Sequence, residues 1–155
     1  MTGSQKALIY TIGYEGFSIG EFVAKLQSHN IGLLVDIRDN PYSRKKDFSA
    51  KRLSAHLAAA GIGYLHLKQL GCPAPIRSAL KHNGDFKAYK SAFLSHLITQ
   101  SDALDYLCNL LLVNIICLMC LEQDESRCHR LLVAEKLAVR FSGDKPPKLE
   151  IIHLK

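Results

Sequence analysis

The chain has 155 residues, 48% apolar and 22% charged, with a net charge of +6. That length suffices for one domain with a buried core, and the composition is that of soluble globular proteins. No apolar run reaches membrane-spanning length, and residues 1–6, read as a flexible end, lack the apolar segment of a signal peptide, so a cytoplasmic protein without a membrane partner is expected.

Residues 7–12 read as a first strand ending at Gly13-Tyr14-Glu15-Gly16. Ser18-Ile19-Gly20-Glu21 has the form of a capping box, and Phe22, Val23 and Leu26 stripe the helix behind it. A second, nearly uniform apolar strand covers residues 31–37, as expected when both of its faces are buried, and Pro41 ends its pairing. Arg44-Lys45-Lys46 centres a basic loop. Ser49 can cap a second helix bearing Leu53 and Leu57, with Gly61 at its left-handed end. A third strand spans residues 62–67 with Tyr64 and His66 on one side.

The proline-containing stretch from Gly71 to Asp85 shows no strong period and reads as irregular. Phe86, Tyr89, Phe93 and Leu97 recur at helical spacing, and Ser101 can cap a helix carrying Leu104, Leu107, Cys108 and Leu111. Residues 114–119 form a fourth strand, a last helix runs to about Phe141 before Gly143 and Pro146-Pro147, and residues 149–154 form a fifth strand. Strands alternating with helices in this way predict a single three-layer α/β domain over residues 1–155. Its sheet should be mainly parallel, of about five strands, with helices on both faces.

Ligands of open α/β sheets bind beyond the carboxyl ends of the strands. There the sequence puts Tyr14 and Glu15, Asp36 and Arg38, His66 and Lys68, and Cys120 and Glu122. Arg127 and Arg130 fall where the last helix begins, against the sign of the helix dipole, so an anion is expected close by. Each residue also has a plainer reading. Asp36 and Arg38 point to one sheet face and can form an internal salt bridge. Cys120 can be core filler or a reactive thiol, and Cys128 can share a core face with Leu131, Leu132 and Glu135. His66 is more often structural than a base, and Cys108 and Cys117 read as inert core. Cys120, Glu122, Cys128 and His129 are ligand types that zinc accepts, but their spacing matches no common zinc pattern, and His129 should diverge from Cys128 on a helix. Neither metal nor cofactor is predicted, and the five cysteines match no disulfide framework.

Several segments together are distinctive: Tyr10-Thr11-Ile12-Gly13-Tyr14; Leu34-Val35-Asp36-Ile37-Arg38 with Pro41 and Ser43-Arg44; Tyr64-Leu65-His66-Leu67 with Leu70-Gly71; Phe86 with Tyr89; Leu118-Met119-Cys120 with Glu122; and Arg127-Cys128-His129-Arg130. The ordered set resembles the family called domain of unknown function 488 over almost the whole chain. Tyr14 stands where many members have histidine, which removes a titratable base there. The resemblance implies an α/β fold and a shared pocket rather than a reaction. It nominates Asp36, Arg38, Cys120, Glu122, Cys128, His129 and Arg130, with Tyr14.

Three functions follow. The first is an enzyme acting on an anionic, phosphate-bearing substrate, a nucleotide or nucleic acid. In it Arg38, Arg130, Arg127, His129, Tyr14 and Cys128 hold the anion, Glu122 or Asp36 is the acid/base, and Cys120 is an optional nucleophile. The second is a non-catalytic nucleotide- or nucleic-acid-binding module using the basic loop. The third is rhodanese-like or thiol-phosphatase chemistry at Cys120. It ranks last because Glu122, Asp124 and Glu125 would repel an anion and the loop lacks glycine.

Overall fold

Five short segments, apolar over most of their length, form the sheet: β1 (Ala7–Gly13), β2 (Leu33–Asp36), β3 (Gly63–His66), β4 (Ile116–Cys120) and β5 (Leu149–Leu154). They lie in the order β3-β2-β4-β1-β5, and every pairing is parallel. The structure is a computed structural model and describes residues 7–143 and 148–155. The expectations for residues 1–6 and for Pro146-Pro147 lie outside the described residues.

Alternation along the strands supplies two cores. Ile9, Val35, Leu118 and Leu149 face one side, where α4 (Phe86–Ile98), α5 (Ser101–Leu111) and α6 (His129–Ser142) bury Phe93, Leu97, Leu104, Leu107, Leu132 and Leu137. Tyr10, Ile12, Leu34, Cys117 and Met119 face the other, against Phe22 and Leu26 of α1 (Ile19–Ser28) and Leu53 and Leu57 of α2 (Ala50–Ala59). This is the expected α/β fold with helices on both faces. No helix among the described residues is long and apolar enough to cross a membrane.

Ser18 and Glu21 close the capping box at α1, and Gly61 turns left-handed (φ 75°) behind α2. Ser49 precedes α2 but makes no cap bond; its hydroxyl instead accepts from the Ser43 amide and donates to the Ser43 carbonyl. Ser101 is the first residue of α5 rather than its cap. The stretch expected to be irregular contains a helix, α3 (Ala74–Asn83), entered through Pro73 and closed by Gly84 at φ 67°. Proline is compatible with a helix's first turn, so Pro73 and Pro75 mark its start and not a break.

From β2 the chain leads outward to β3, whereas from β4 it leads past β1 to β5. The crevice for a ligand in such a sheet lies beyond the carboxyl ends of the strands where the direction changes.

Candidate active site

β1 and β4 continue to pair past their ends: the Tyr14 amide donates to the Cys120 carbonyl at 3.1 Å and the Glu15 amide to Leu121 at 2.9 Å. This holds the loop from Leu121 to Asp124 flat across the top of β1. Gly13 makes it possible. A Cβ there would overlap the Glu122 carbonyl and lie 2.8 Å from the Gln123 nitrogen.

Arg130 holds the same loop from behind. It lies in the first turn of α6 and is fully buried. Its Nη1 donates to the Glu122 carbonyl and, at 3.3 Å, to Cys120 Sγ; Nη2 donates to the Gln123 carbonyl at 3.0 Å, and Nε to Thr11 Oγ1 at 3.2 Å. Among the described residues the nearest carboxylate oxygen, Glu125 Oε2, is 3.9 Å away. Burial pulls the guanidinium pKa down, and Glu125 and Glu122 oppose that. The negative partner expected from the helix dipole is therefore in large part the carbonyl ends of the 122–123 loop.

α6 begins two residues later than Arg127. A 3-10 turn covers Glu125–Arg127, and Cys128 is the helix cap, with extended backbone (φ −124°, ψ 143°). Cys128 therefore does not share a helical face with Leu131 and Leu132. Its sulfur turns back to accept from the Arg130 amide at 3.4 Å and meets Cys120 Sγ. The two Cα atoms stand 7.7 Å apart, beyond the roughly 4.4–6.8 Å that disulfides usually span. The two sulfurs are in bonding contact, a pairing that the cysteine spacing did not predict, and both residues are almost fully buried.

His129 lies beside them with Nε2 2.8 Å from the Ile37 carbonyl and its ring edge-on to Phe93. The carbonyl fixes the proton on Nε2, so Nδ1 faces Cys128 Sγ at 3.8 Å. Burial pulls its pKa down to about 4, so the imidazole is neutral at pH 7. On β2, Asp36 accepts from Arg38 Nε at 2.8 Å and Nη2 at 2.7 Å, and from Tyr64 Oη at 2.5 Å. Arg38 Nη1 donates to the Phe48 carbonyl at 2.8 Å. Asp36 is fully buried and engaged, so the internal-salt-bridge reading describes its geometry. His66 Nε2 meets the Arg38 carbonyl at 2.7 Å, a structural histidine.

A cavity of about 320 Å³ opens at this edge of the sheet. Cys120, Glu122, Arg38, His129, Arg127 and Tyr14 reach its wall; Asp36, Cys128 and Arg130 do not. The structure adds residues that the sequence reading passed over: Tyr42 from the loop after β2, Cys72, Arg77 and Lys81 of α3, and Tyr89 of α4. Arg77 and Lys81 are one helical turn apart, with Ile76 and Leu80 packed on the core. That pattern was a readable sign once the prolines were taken as a helix start. Arg77 is half exposed and reaches Asp39 only at 3.5 Å, whereas Tyr89 and Cys72 are buried, which raises both their pKa values. Cations outnumber carboxylates on the wall, with Arg38, Arg77, Lys81 and Arg127 against Asp39 and Glu122.

Two of the three carboxylates expected to guard Cys120 turn away. Asp124 accepts from the Ser126 amide and hydroxyl, and Glu125 faces Lys155 and Arg130. Neither lines the cavity. In the basic loop, Lys45 donates to the Tyr14 carbonyl at 3.3 Å and sits over the Phe48 ring, bracing the fold rather than lining the cavity.

Among curated proteins and among solved structures no match was found. A family model described as "Domain of unknown function DUF488" matches residues 18–137, from the capping box of α1 through most of α6, and the chain belongs to that family.

Proposed function

We propose that this protein is an enzyme acting on a small anionic, phosphate-bearing substrate, of nucleotide type, in the cavity beyond β1, β2 and β4. The observation that carries this reading is the wall itself. Exposed Arg127, Lys81 and Arg77 line the cavity together with Glu122, Tyr14, Tyr42 and Tyr89. Guanidinium groups make paired, charge-assisted bonds to phosphate oxygens, and aromatic faces accept a base or sugar. Glu122 is half-buried and held through its own backbone by Arg130, so its carboxylate is placed to move a proton at bound substrate. Arg38 spends most of its donors on Asp36 and Phe48 and supplies positive potential at the floor.

The test is turnover on a panel of nucleotides, phosphate esters and short oligonucleotides. Glu122→Gln should lower kcat by about a hundredfold or more while leaving KM within a few fold. Arg77→Ala and Arg127→Ala should chiefly raise KM. If no compound on the panel is turned over, or if Glu122→Gln leaves every turnover unchanged, the enzyme assignment is wrong.

A further inference from the structure

Glu122 leaves β4 two residues after Cys120, and Cys128 caps α6 across from both. One ligand atom from each, two sulfurs and a carboxylate oxygen, lie within 4.8 Å of one another. The divergence expected of His129 from Cys128 on a helix does not apply, because Cys128 is the extended cap and turns its sulfur into the group; the sequence spacing still matches no common zinc pattern.

Both sulfurs accept N–H donors: the Arg130 guanidinium at Cys120 and the Arg130 amide at Cys128. A neutral thiol is a weak acceptor, whereas a thiolate is a strong one. Arg130 is fully buried with, among the described residues, no carboxylate oxygen closer than 3.9 Å, so its charge is poorly matched unless the neighbouring sulfur is anionic. The 7.7 Å Cα separation is wide for a disulfide, but it suits two sulfurs converging on an ion through bonds of about 2.3 Å.

We propose that Cys120, Cys128 and Glu122 bind a zinc ion at the floor of the cavity, with its fourth position open to the cavity. Two sulfurs argue against magnesium or calcium, and the carboxylate argues against copper(I). Two thiolates and a carboxylate carry three negative charges; the ion returns two and Arg130 the third. Binding breaks both S–H bonds, releases the two protons to solvent and forms two Zn–S bonds. Cys120 and Glu122 line the cavity while Cys128 lies behind them, so the open position faces substrate, as in catalytic rather than structural zinc sites. His129 Nε2–H on the Ile37 carbonyl leaves Nδ1 toward Cys128, fixing that side of the site. The inference rests on the reading of the cavity as a substrate site but gives the Glu122 carboxylate to the ion in place of the proton-transfer role, and metal content is measured apart from turnover.

The full chain, reduced and stripped with a chelator, is titrated with Zn²⁺ alone against a chromophoric chelator, and separately with Co²⁺. The expected result is one equivalent bound. The cobalt form should show intense visible bands and a sulfur-to-cobalt charge-transfer band, both lost on adding Zn²⁺. Cys120→Ser and Cys128→Ser should each weaken binding by about a hundredfold or more, and Glu122→Gln by about tenfold. Cys108→Ser, remote from the site, should change nothing. Should the cysteine variants fail to fold, X-ray absorption of the zinc-loaded wild type should find two sulfur neighbours. Absence of stoichiometric binding, retention of tight binding in both folded cysteine variants, fewer than two sulfur neighbours, or a Cys120–Cys128 disulfide that survives reductant would each overturn the proposal. Loss of the metal with phosphate ligands still bound refutes the zinc site alone; zinc bound without turnover on the panel refutes the enzyme reading alone.

Discussion

Arg127 and Arg130 are three positions apart and meet opposite surroundings. Arg130 is fully buried and spends its donors on Thr11, Cys120 and the carbonyls of Glu122 and Gln123. Arg127 is exposed at the cavity wall, like Arg77 and Lys81 of α3. The difference separates two tasks that the residue type alone conflates. The inner arginine holds the loop that carries Glu122, and the outer cations, Arg77 beside Asp39 among them, are open to solvent. Mutating the inner set should first cost stability, and mutating the outer set should cost binding alone.

The largest effect expected is at Arg130. Arg130→Ala removes the guanidinium from two part-buried carbonyls and from the Thr11 hydroxyl, which keeps His153, and empties a fully buried position; it should destabilise the protein by about 3–5 kcal/mol in urea unfolding. Arg130→Lys keeps the charge but cannot reach all four acceptors, so it should recover only part of that. A loss below about 1 kcal/mol would place Arg130 among ordinary surface arginines and erase the contrast.

Next is a pH effect from the same burial. The folded protein holds the His129 pKa near 4, against 6.5 for the ordinary side chain, and burial also lowers that of His153, which contacts Thr11. Between these values the unfolded chain binds a proton that the folded one refuses. The stabilisation is therefore fully present above about pH 6.5 and is lost as pH falls toward 4, by up to about 3 kcal/mol for His129. Unfolding of chelator-treated protein should show this slope, and His129→Gln should flatten it; an unchanged slope in that variant would assign the effect elsewhere.

Gly13→Ala comes third. The new Cβ meets the Glu122 carbonyl, which Arg130 holds from the other side, so the loop must shift. The expected cost is about 1–3 kcal/mol, with a larger loss of turnover than of substrate binding. Wild-type turnover in this variant would mean that the position of Glu122 does not matter to the reaction.

The smallest effect on stability is at the outer set. Arg127→Ala and Arg77→Ala should each change stability by less than about 0.5 kcal/mol, yet each should weaken binding of a phosphate-bearing ligand by about tenfold. Equal losses of stability at inner and outer arginines would break the comparison.

Residue patterns carried the sheet and the strand-end part of the site. Apolar runs marked five strands, and placing ligands at strand ends selected Tyr14, Arg38, Cys120 and Glu122, which reach the cavity, along with Glu15, Asp36, His66 and Lys68, which do not. The omissions have physical causes. The stretch from Gly71 to Asp85 shows no strong period, which hides α3 and with it Arg77 and Lys81. Arg130 was assigned an external anion because a side chain at a helix start was weighed against the dipole alone. The carbonyls of a loop eight residues earlier, brought to it by β1 pairing with β4, do not appear in local sequence. The meeting of Cys120 and Cys128 depends on one extended residue at the cap, and helical periodicity extended one residue too far conceals it.

The central claim, that exposed cations of this cavity hold a phosphate-bearing ligand while buried Arg130 holds the site, is tested most directly by one titration. Affinity for a nucleoside monophosphate is measured against salt for the wild type and for the Arg77→Ala/Arg127→Ala double variant. The prediction is wild-type binding that weakens as salt rises, and a loss of about a hundredfold in the double variant at unchanged thermal stability. Salt-insensitive binding, or equal affinity in the two proteins, would contradict it.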